Sequence, residues 1–382
     1  MDVGKGAVHR GMGTNVKRRI CIFCETWESG GIESFLSNTL LHMDTAGMEI
    51  DIVAEQLRES VFTQGLKAKG IRFRELSGSV RKFSRNYSMF RRLLRERNYD
   101  AVHVNAFQGM SLYYLHMAQQ TGVPIRIAHS HNTDLRKSHG RRFKLLLHGI
   151  FRRRYTRCAT ALWACSEAAA RFLFDAGTVK RMGYTFIPNG IDIGRFRFRP
   201  EIRERIRAEL GLSDRLVQGN VGRLCSQKNQ SFLLDILERS LPQHPEFFLL
   251  LVGEGEDRKA LEEKAGRLGV SEHVLFCGAT SHVEELLWAM DVFLFPSLFE
   301  GFGIVALEAQ AAGLPVLCSE HVAKEALATP LAQVLPLTDG PARWAEAVQF
   351  CSGSASRNRE TDLSAYDITR ISVLVRDMYT GK

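Results

Sequence analysis

Short apolar runs alternate with amphipathic helical stretches along almost the whole chain, and this alternation constrains the fold more than any other feature. In the first half the runs are Ile20–Cys24, Ile50–Val53, Ile71–Leu76, Ala101–Val104, Ile125–Ala128, Ala161–Cys165 and Thr185–Ile187. In the second half they are Leu216–Val221, Phe247–Val252, Val274–Phe276, Val292–Phe295 and Pro315–Leu317. Each has the length of a buried strand. Helical spacing fills the gaps, most clearly at Ile32, Phe35, Leu36, Leu40 and Met43, which share one helix face. Such alternation implies parallel sheets with helices on both sides and ligands at the C-terminal ends of the strands.

A chain of 382 residues exceeds what one core usually supports, so two domains are expected. The turn and loop at Pro188–Pro200 mark the boundary between them. The expected layout is a polar, disordered tail over 1–16, a Rossmann-like domain over 17–195, a second over 196–362, and a helix over 363–382 that packs back across the join. The polar stretch Ser352–Thr361 reads as the linker to that helix. No segment reaches the roughly 18–20 uninterrupted apolar residues of a membrane-spanning helix, and the tail lacks the apolar centre of a secretory signal. These features place the chain in the cytoplasm.

Charge is unevenly distributed. Residues 1–190 carry 30 Lys and Arg against 15 Asp and Glu, whereas the remainder carries 21 against 27. Much of the excess is concentrated in Arg136, Lys137, Arg141, Arg142, Lys144, Arg152, Arg153, Arg154 and Arg157. Two readings stand side by side: a solvated helix face, or a surface for anionic lipid or a lipid-linked diphosphate acceptor. Nucleic acid is disfavoured, since no recognised binding module accompanies the charge. Cys21 and Cys24 form a C-x-x-C, but three residues apart on a strand they point to opposite faces. With no second pair nearby they read as buried structural thiols.

Four segments could carry chemistry. Gly30-Gly31, followed by Ile32-Glu33, joins a strand to a helix whose free N–H groups and positive dipole end suit a phosphate; glycine for turn geometry alone is the plainer reading. Gly222-Arg223 and Lys228 follow the first strand of the second half. There the cations could neutralise a diphosphate, or simply decorate a loop. Pro296-Ser-Leu-Phe-Glu300-Gly-Phe-Gly303-Ile-Val-Ala-Leu-Glu308 leads from a strand into a helix, and its glycines free backbone N–H groups at the helix start for a negative leaving group. A loop carboxylate such as Glu300 could accept hydrogen bonds from sugar hydroxyls and a helix carboxylate such as Glu308 from a ribose diol; a helix-capping and a solvated glutamate are the plainer readings. Finally, His129 and His131 end a strand, where a histidine faces the ligand crevice and could donate or shuttle a proton, with a purely structural histidine as the rival reading. No carboxylate–histidine set completes a metal site.

Together these residues resemble the family 4 retaining glycosyltransferases of GT-B architecture, especially the branch that builds capsular and exopolysaccharides. The resemblance runs through Gly-Gly-Ile-Glu at 30–33, His-Ser-His-Asn at 129–132, Pro-Asn-Gly-Ile-Asp at 188–192, Gly-Arg-Leu-x-x-Gln-Lys-Asn at 222–229, Glu-x7-Glu from Glu300 to Glu308, and Gly313-Leu-Pro-Val. The tail before Lys17 is longer than that pattern requires. The resemblance implies two Rossmann-like domains facing across a cleft. It assigns Arg223 and Lys228 to the donor diphosphate, Gly31 to its close approach, Glu308 to the ribose and Glu300 to the sugar hydroxyls. Backbone N–H groups at Phe302, Gly303 and Ile304 would help, with His131 at the sugar or the reacting centre.

The implied reaction is transfer of a hexosyl or N-acetylhexosaminyl group from a UDP-sugar to a glycan or lipid-linked acceptor, with retention and with neither metal nor cofactor. It would run in the cytoplasm or peripherally at the inner face of the plasma membrane, in bacterial surface polysaccharide synthesis. Three other readings were weighed. A nucleotide-sugar epimerase of the same architecture is disfavoured by the Glu300–Glu308 spacing, a silent nucleotide-binding scaffold by the intact charged set, and a dehydrogenase by the missing G-x-G-x-x-G.

Overall fold

The computed structural model describes residues 17–28, 30–58, 60–135, 141–352 and 362–381. The tail 1–16, Arg136 and Lys137 of the basic cluster, and all but Ser352 of the stretch read as a linker lie outside the described residues.

Two parallel sheets organise the chain. The first holds β1 (Arg18–Trp27), β2 (Met48–Leu57), β3 (Arg72–Glu75), β4 (Ala101–Ala106), β5 (Ile125–Ser130), β6 (Ala161–Ala164) and β7 (Thr185–Phe186), in the spatial order β3-β2-β1-β4-β5-β6-β7. The second holds β8 (Leu216–Val221), β9 (Phe247–Val252), β10 (Val274–Gly278), β11 (Val292–Phe295), β12 (Val316–Cys318) and β13 (Ala332–Val334), in the order β10-β9-β8-β11-β12-β13. Both are doubly wound. The order reverses between β1 and β4 in the first sheet and between β8 and β11 in the second, and such a reversal opens a crevice at the C-terminal strand ends.

The apolar runs became strands because both of their faces are covered. On β1, Cys21 and Phe23 enter one core while Ile20, Ile22 and Cys24 enter the core on the opposite face. Cys21 and Cys24 therefore diverge, and burial pushes both thiols well up. Edge strand β13 was not anticipated. Its Ala-Gln-Val is too short to show a period, and Gln333 and Val334 are exposed.

The helix Ile368–Thr380 returns to the first domain. Ile371, Val375 and Tyr379 join the core around β1 and β2, and Ser372 Oγ donates to the Thr39 carbonyl at 3.0 Å. Ile191 is stitched to the start of this helix: its N–H donates to the Tyr366 carbonyl at 2.9 Å, and its carbonyl accepts from Ile368 at 3.0 Å. The domains also share core. Cys165 and Ala169 of the first pack in one cluster with Phe302, Val305 and Ala306 of the second. The C-terminal strand ends of the two sheets therefore face each other at contact distance.

Candidate active site

The second-domain half of the site is built from the two segments that leave β8 and β11. Gln227 Nε2 donates to the Phe299 carbonyl at 3.0 Å, Leu298 N–H to the Gln227 carbonyl at 2.8 Å, and Asn229 Nδ2 to the Pro296 carbonyl at 3.2 Å. This knitting brings Lys228 to Glu300: Nζ donates to Oε1 at 2.7 Å and lies 4.8 Å from the Phe295 ring centroid. Both charges are largely removed from water, with side-chain exposures of 18% and 8%. Desolvated pairs of this kind are strongly coupled.

Arg223 reaches the other way. Its Nη2 donates to Glu28 Oε1 at 2.9 Å, across the cleft, and Arg58 holds the other carboxylate oxygen of Glu28 at 3.0 Å. Behind Glu28 lies Glu33, buried at the start of the helix Gly31–His42. Burial pushes its carboxyl up to about 7, against hydrogen bonds from its own N–H and that of Glu28. Gly31 is exposed, and a Cβ there would meet no atom within 4 Å, so this helix start faces open space. Sequence reasoning missed Glu28. Its partner is 195 residues away, and no local pattern marks it.

After Glu300 the backbone enters the helix Ile304–Ala311 through Gly303, whose φ of +95° requires glycine. The N–H groups of Phe302, Gly303, Ile304 and Val305 find no acceptor among the described residues. They form a row of free donors at the positive end of the helix. The Phe302 side chain is buried in the shared core, so only its backbone is available.

Gly301 has a role beyond the one read in the sequence. A Cβ on it would lie 1.7 Å from the His131 carbonyl oxygen of the first domain. Glycine is therefore needed there for interdomain contact as well. Ser166 Oγ donates to the Gly301 carbonyl at 2.7 Å, and Thr133 Oγ1 to the Glu300 carbonyl at 2.8 Å. Glu300 is thus held from both domains.

His131 is half-buried beside this contact. Its Nε2 lies 2.9 Å from Asn105 Oδ1, and Asn105 Nδ2 donates to the Phe23 carbonyl at 3.4 Å, which leaves Oδ1 as acceptor. His131 therefore carries its proton on Nε2, and Nδ1 is an acceptor with no partner among the described residues. Burial pushes its pKa down to about 3. Burial thus favours the neutral ring, which offers a lone pair at Nδ1. His129 does not face the crevice. It is fully buried, with Nδ1 3.1 Å from His103 Nε2, while His103 Nδ1 sits 2.6 Å from the Tyr379 hydroxyl.

Glu308 stands apart from the cations. Its carboxylate has no hydrogen-bond or ion-pair partner among the described residues, and part of its surface is open. Protein packed on most sides pushes its carboxyl up to about 7, with Arg195 pulling it back and Glu284 adding to the rise. Lys228 meets Glu300 and lies against Gly222, Arg223 reaches Glu28 of the first domain, and Gly301 abuts the His131 carbonyl; Glu308 follows a helical turn after Ile304. Among the described residues no group of three or more His, Cys, Asp or Glu could hold a metal ion.

Away from the cleft, the helix Arg141–Tyr155 presents Phe143, Leu146 and Ile150 to solvent at 63, 60 and 50% exposure. Their spacing puts them on one face, with Arg142, Arg153 and Arg154 beside them. No helix among the described residues is long and apolar enough to cross a membrane.

Comparison with known proteins bears on this geometry. Residues 29–195 match the model of Glycosyltransferase Family 4, and residues 202–327 that of Glycosyl transferases group 1. The chain is 30% identical over 351 residues to the glycosyltransferase EpsF of Bacillus subtilis, covering 90% of each. It is 29% identical over 239 residues, covering 60% of this chain and 59% of the other, to the UDP-Gal:α-D-GlcNAc-diphosphoundecaprenol α-1,3-galactosyltransferase of Escherichia coli. Among solved structures, Anabaena HepE in complex with UDP and glucose has the same fold. It superposes with a TM-score of 0.78 at 20% identity, over 96% of this chain and 100% of that one.

Proposed function

The chain belongs to the family 4 glycosyltransferases, with their GT-B fold and their role in polysaccharide biosynthesis, and from that premise we propose that it is a retaining, metal-independent enzyme that transfers a hexosyl or N-acetylhexosaminyl group from a UDP-sugar to a glycan or lipid-linked saccharide. What supports this reading is that Lys228 sits on Glu300 just before the free N–H groups of Phe302–Val305, that Arg223 reaches Glu28 across the cleft, and that the helix start at Gly31 is open. Two cations and two helix starts offer a diphosphate the positive field that a divalent ion would otherwise supply. Arg223 already holds one anionic oxygen, that of Glu28, with the donor geometry a phosphate oxygen would use.

In the reaction the acceptor hydroxyl approaches the anomeric carbon on the face from which the diphosphate departs. The new carbon–oxygen bond forms as the old one breaks, the leaving phosphate takes the electron pair, and the hydroxyl proton passes to a phosphate oxygen. The side chains orient and stabilise charge, and no nucleophile is required. Glu300 accepts from donor-sugar hydroxyls, Glu308 from the ribose, and His131 Nδ1 accepts from a sugar hydroxyl. Contact between the domains at Gly301 limits water at the reacting centre. The apolar stripe of the helix Arg141–Tyr155 with its flanking arginines docks the enzyme on the anionic inner face of the plasma membrane.

A screen of nucleotide sugars by thermal shift, followed by turnover with a saccharide acceptor and assignment of the product anomer by NMR, tests the reading. A UDP-sugar should raise the melting temperature, and the product should keep the donor's anomeric configuration with chelator present. An inverted product, or turnover that stops on chelation, would sink the corresponding part. Sedimentation with anionic vesicles at low salt tests the docking helix, and substitution of Phe143 and Leu146 by Ser should abolish pelleting.

A further inference from the structure

A second basic feature lies outside the cleft. An open groove of about 540 Å³ runs along the helix Phe83–Arg97, lined by Ser84, Tyr87, three arginines (Arg91, Arg92 and Arg95) and Glu96 on that helix and by Tyr113 opposite. The helix follows β3, so its first turn stands at the cleft end of the sheet and Arg95 about 16 Å further away. The Ser84 end of the groove is therefore the end nearer the cleft.

Its charge is poorly compensated. Arg92 pairs with Glu96 at 2.6 Å, Arg91 donates only to the neutral Gln120 amide at 3.0 Å, and Arg95 has no partner among the described residues. Further arginines converge from the neighbouring elements: His116, on the helix Tyr113–Gln120, is pushed down by burial and then by Arg154, Arg91 and Arg157. The rings are packed together, with Tyr87 and Tyr113 centroids 4.7 Å apart and Tyr113 and Tyr155 centroids 5.2 Å apart. At the cleft end Tyr87 packs on Tyr114, 5.3 Å between centroids, and the Tyr114 hydroxyl donates to Glu55. Guanidinium forks beside aromatic faces suit an anionic phosphoryl group attached to a bulky apolar chain.

We infer that this groove binds the diphosphate of a lipid-linked acceptor, with Arg91 and Arg95 as its principal ligands, so that the acceptor saccharide reaches the cleft past Tyr87. The inference rests on the transferase reading and names the acceptor class. A bilayer headgroup has similar chemistry, and the experiment separates the two.

Binding of farnesyl diphosphate is measured on the full chain carrying Arg223→Ala and Lys228→Ala, so that the cleft cations do not hold the probe. Adding Arg91→Ala and Arg95→Ala should weaken binding about tenfold or more, as expected for the loss of charge-assisted hydrogen bonds. Unchanged affinity overturns the proposal. Pelleting with phosphatidylcholine vesicles doped with phosphatidylglycerol should survive the Arg91 and Arg95 substitutions. If pelleting is lost while farnesyl diphosphate still binds, the arginines read headgroups and the proposal falls. The UDP-induced thermal shift, measured with Arg223 and Lys228 intact, should be the same with and without Arg91 and Arg95. Its absence from the native chain would count against the donor site and leave the groove result standing.

Discussion

Lys228 Nζ lies 2.7 Å from Glu300 Oε1, and the same Glu300 gives its backbone carbonyl to Thr133 of the opposite domain. The ammonium that would face a phosphate and the carboxylate that would face a sugar are therefore one coupled unit within the second domain, braced by Thr133 of the first. Lys228→Ala and Glu300→Ala should each lower kcat/KM about a hundredfold or more. The double variant should fall well short of the product of the two losses, because each single change already leaves the other charge buried and unpaired. Steady-state kinetics on the four proteins decides this; independent, multiplicative losses would mean that the pair does not act together.

His131 and Asn105 make a prediction about pH. With its pKa near 3, His131 stays neutral above about pH 4, so it contributes no limb to the pH–rate profile between 5 and 9. Asn105→Leu removes the acceptor that fixes the proton on Nε2. The variant should raise KM for the donor several-fold while leaving the shape of the profile unchanged. A new limb near pH 6.5 in native enzyme would contradict the neutral assignment.

The sheets were legible because the central strands are buried on both faces and so appear as apolar runs. Strand β13 fails that condition, being three residues on an edge. In the candidate site, Arg223, Lys228 and Glu300 stood out because they follow strand ends within a few residues. The rest depends on contacts with no local signal. Glu28 meets Arg223 only across the cleft, and the tautomer of His131 is set by Asn105 on a neighbouring strand. Gly301 was noticed, but its cause, the His131 carbonyl, comes from the other domain.

Glu55 gives a stability prediction with a definite sign. It is 4% exposed, and burial pushes its carboxyl from 4.5 up to about 7, with the Tyr114 hydroxyl opposing the rise. Between those values the folded chain holds a proton that the unfolded chain has released, so stability falls as pH rises from about 4.5 to about 7. The full shift corresponds to about 3 kcal/mol at 1.36 kcal/mol per unit. Glu55→Gln removes the titration and keeps an acceptor for Tyr114. It should melt higher than native protein at pH 8 and close to it at pH 4.5, by calorimetry. An equal effect at both values would remove Glu55 as the source.

Tyr379 ties the last helix to the histidine pair of the first domain. Tyr379→Phe leaves His103 Nδ1 buried without a partner and should cost about 1–3 kcal/mol in denaturant unfolding. The ring packing is retained, so a loss larger than that range would mean the hydroxyl does more than satisfy His103. The same variant should leave the Km for donor unchanged, because the contact lies behind His129 and away from the cleft.

Gly301 and Gly31 separate two uses of glycine at one site. Gly301 is not among the glycines with positive φ, so alanine meets no backbone strain there; its methyl would, however, sit 1.7 Å from the His131 carbonyl. The domains must move apart to admit it, which displaces Glu300 from Thr133 and opens the reacting centre to water. Gly301→Ala should therefore lower kcat about a hundredfold, in line with the cost of small misplacements in an oriented site. Secondary structure by circular dichroism should be retained, and the radius of gyration in small-angle scattering should increase. Gly31→Ala meets no protein atom within 4 Å, so it should leave stability and domain contact intact and act only where a ligand approaches, raising the donor KM. Native kcat in Gly301→Ala would show that catalysis does not need the interdomain contact, and the argument for a closed, coupled site would fail with it.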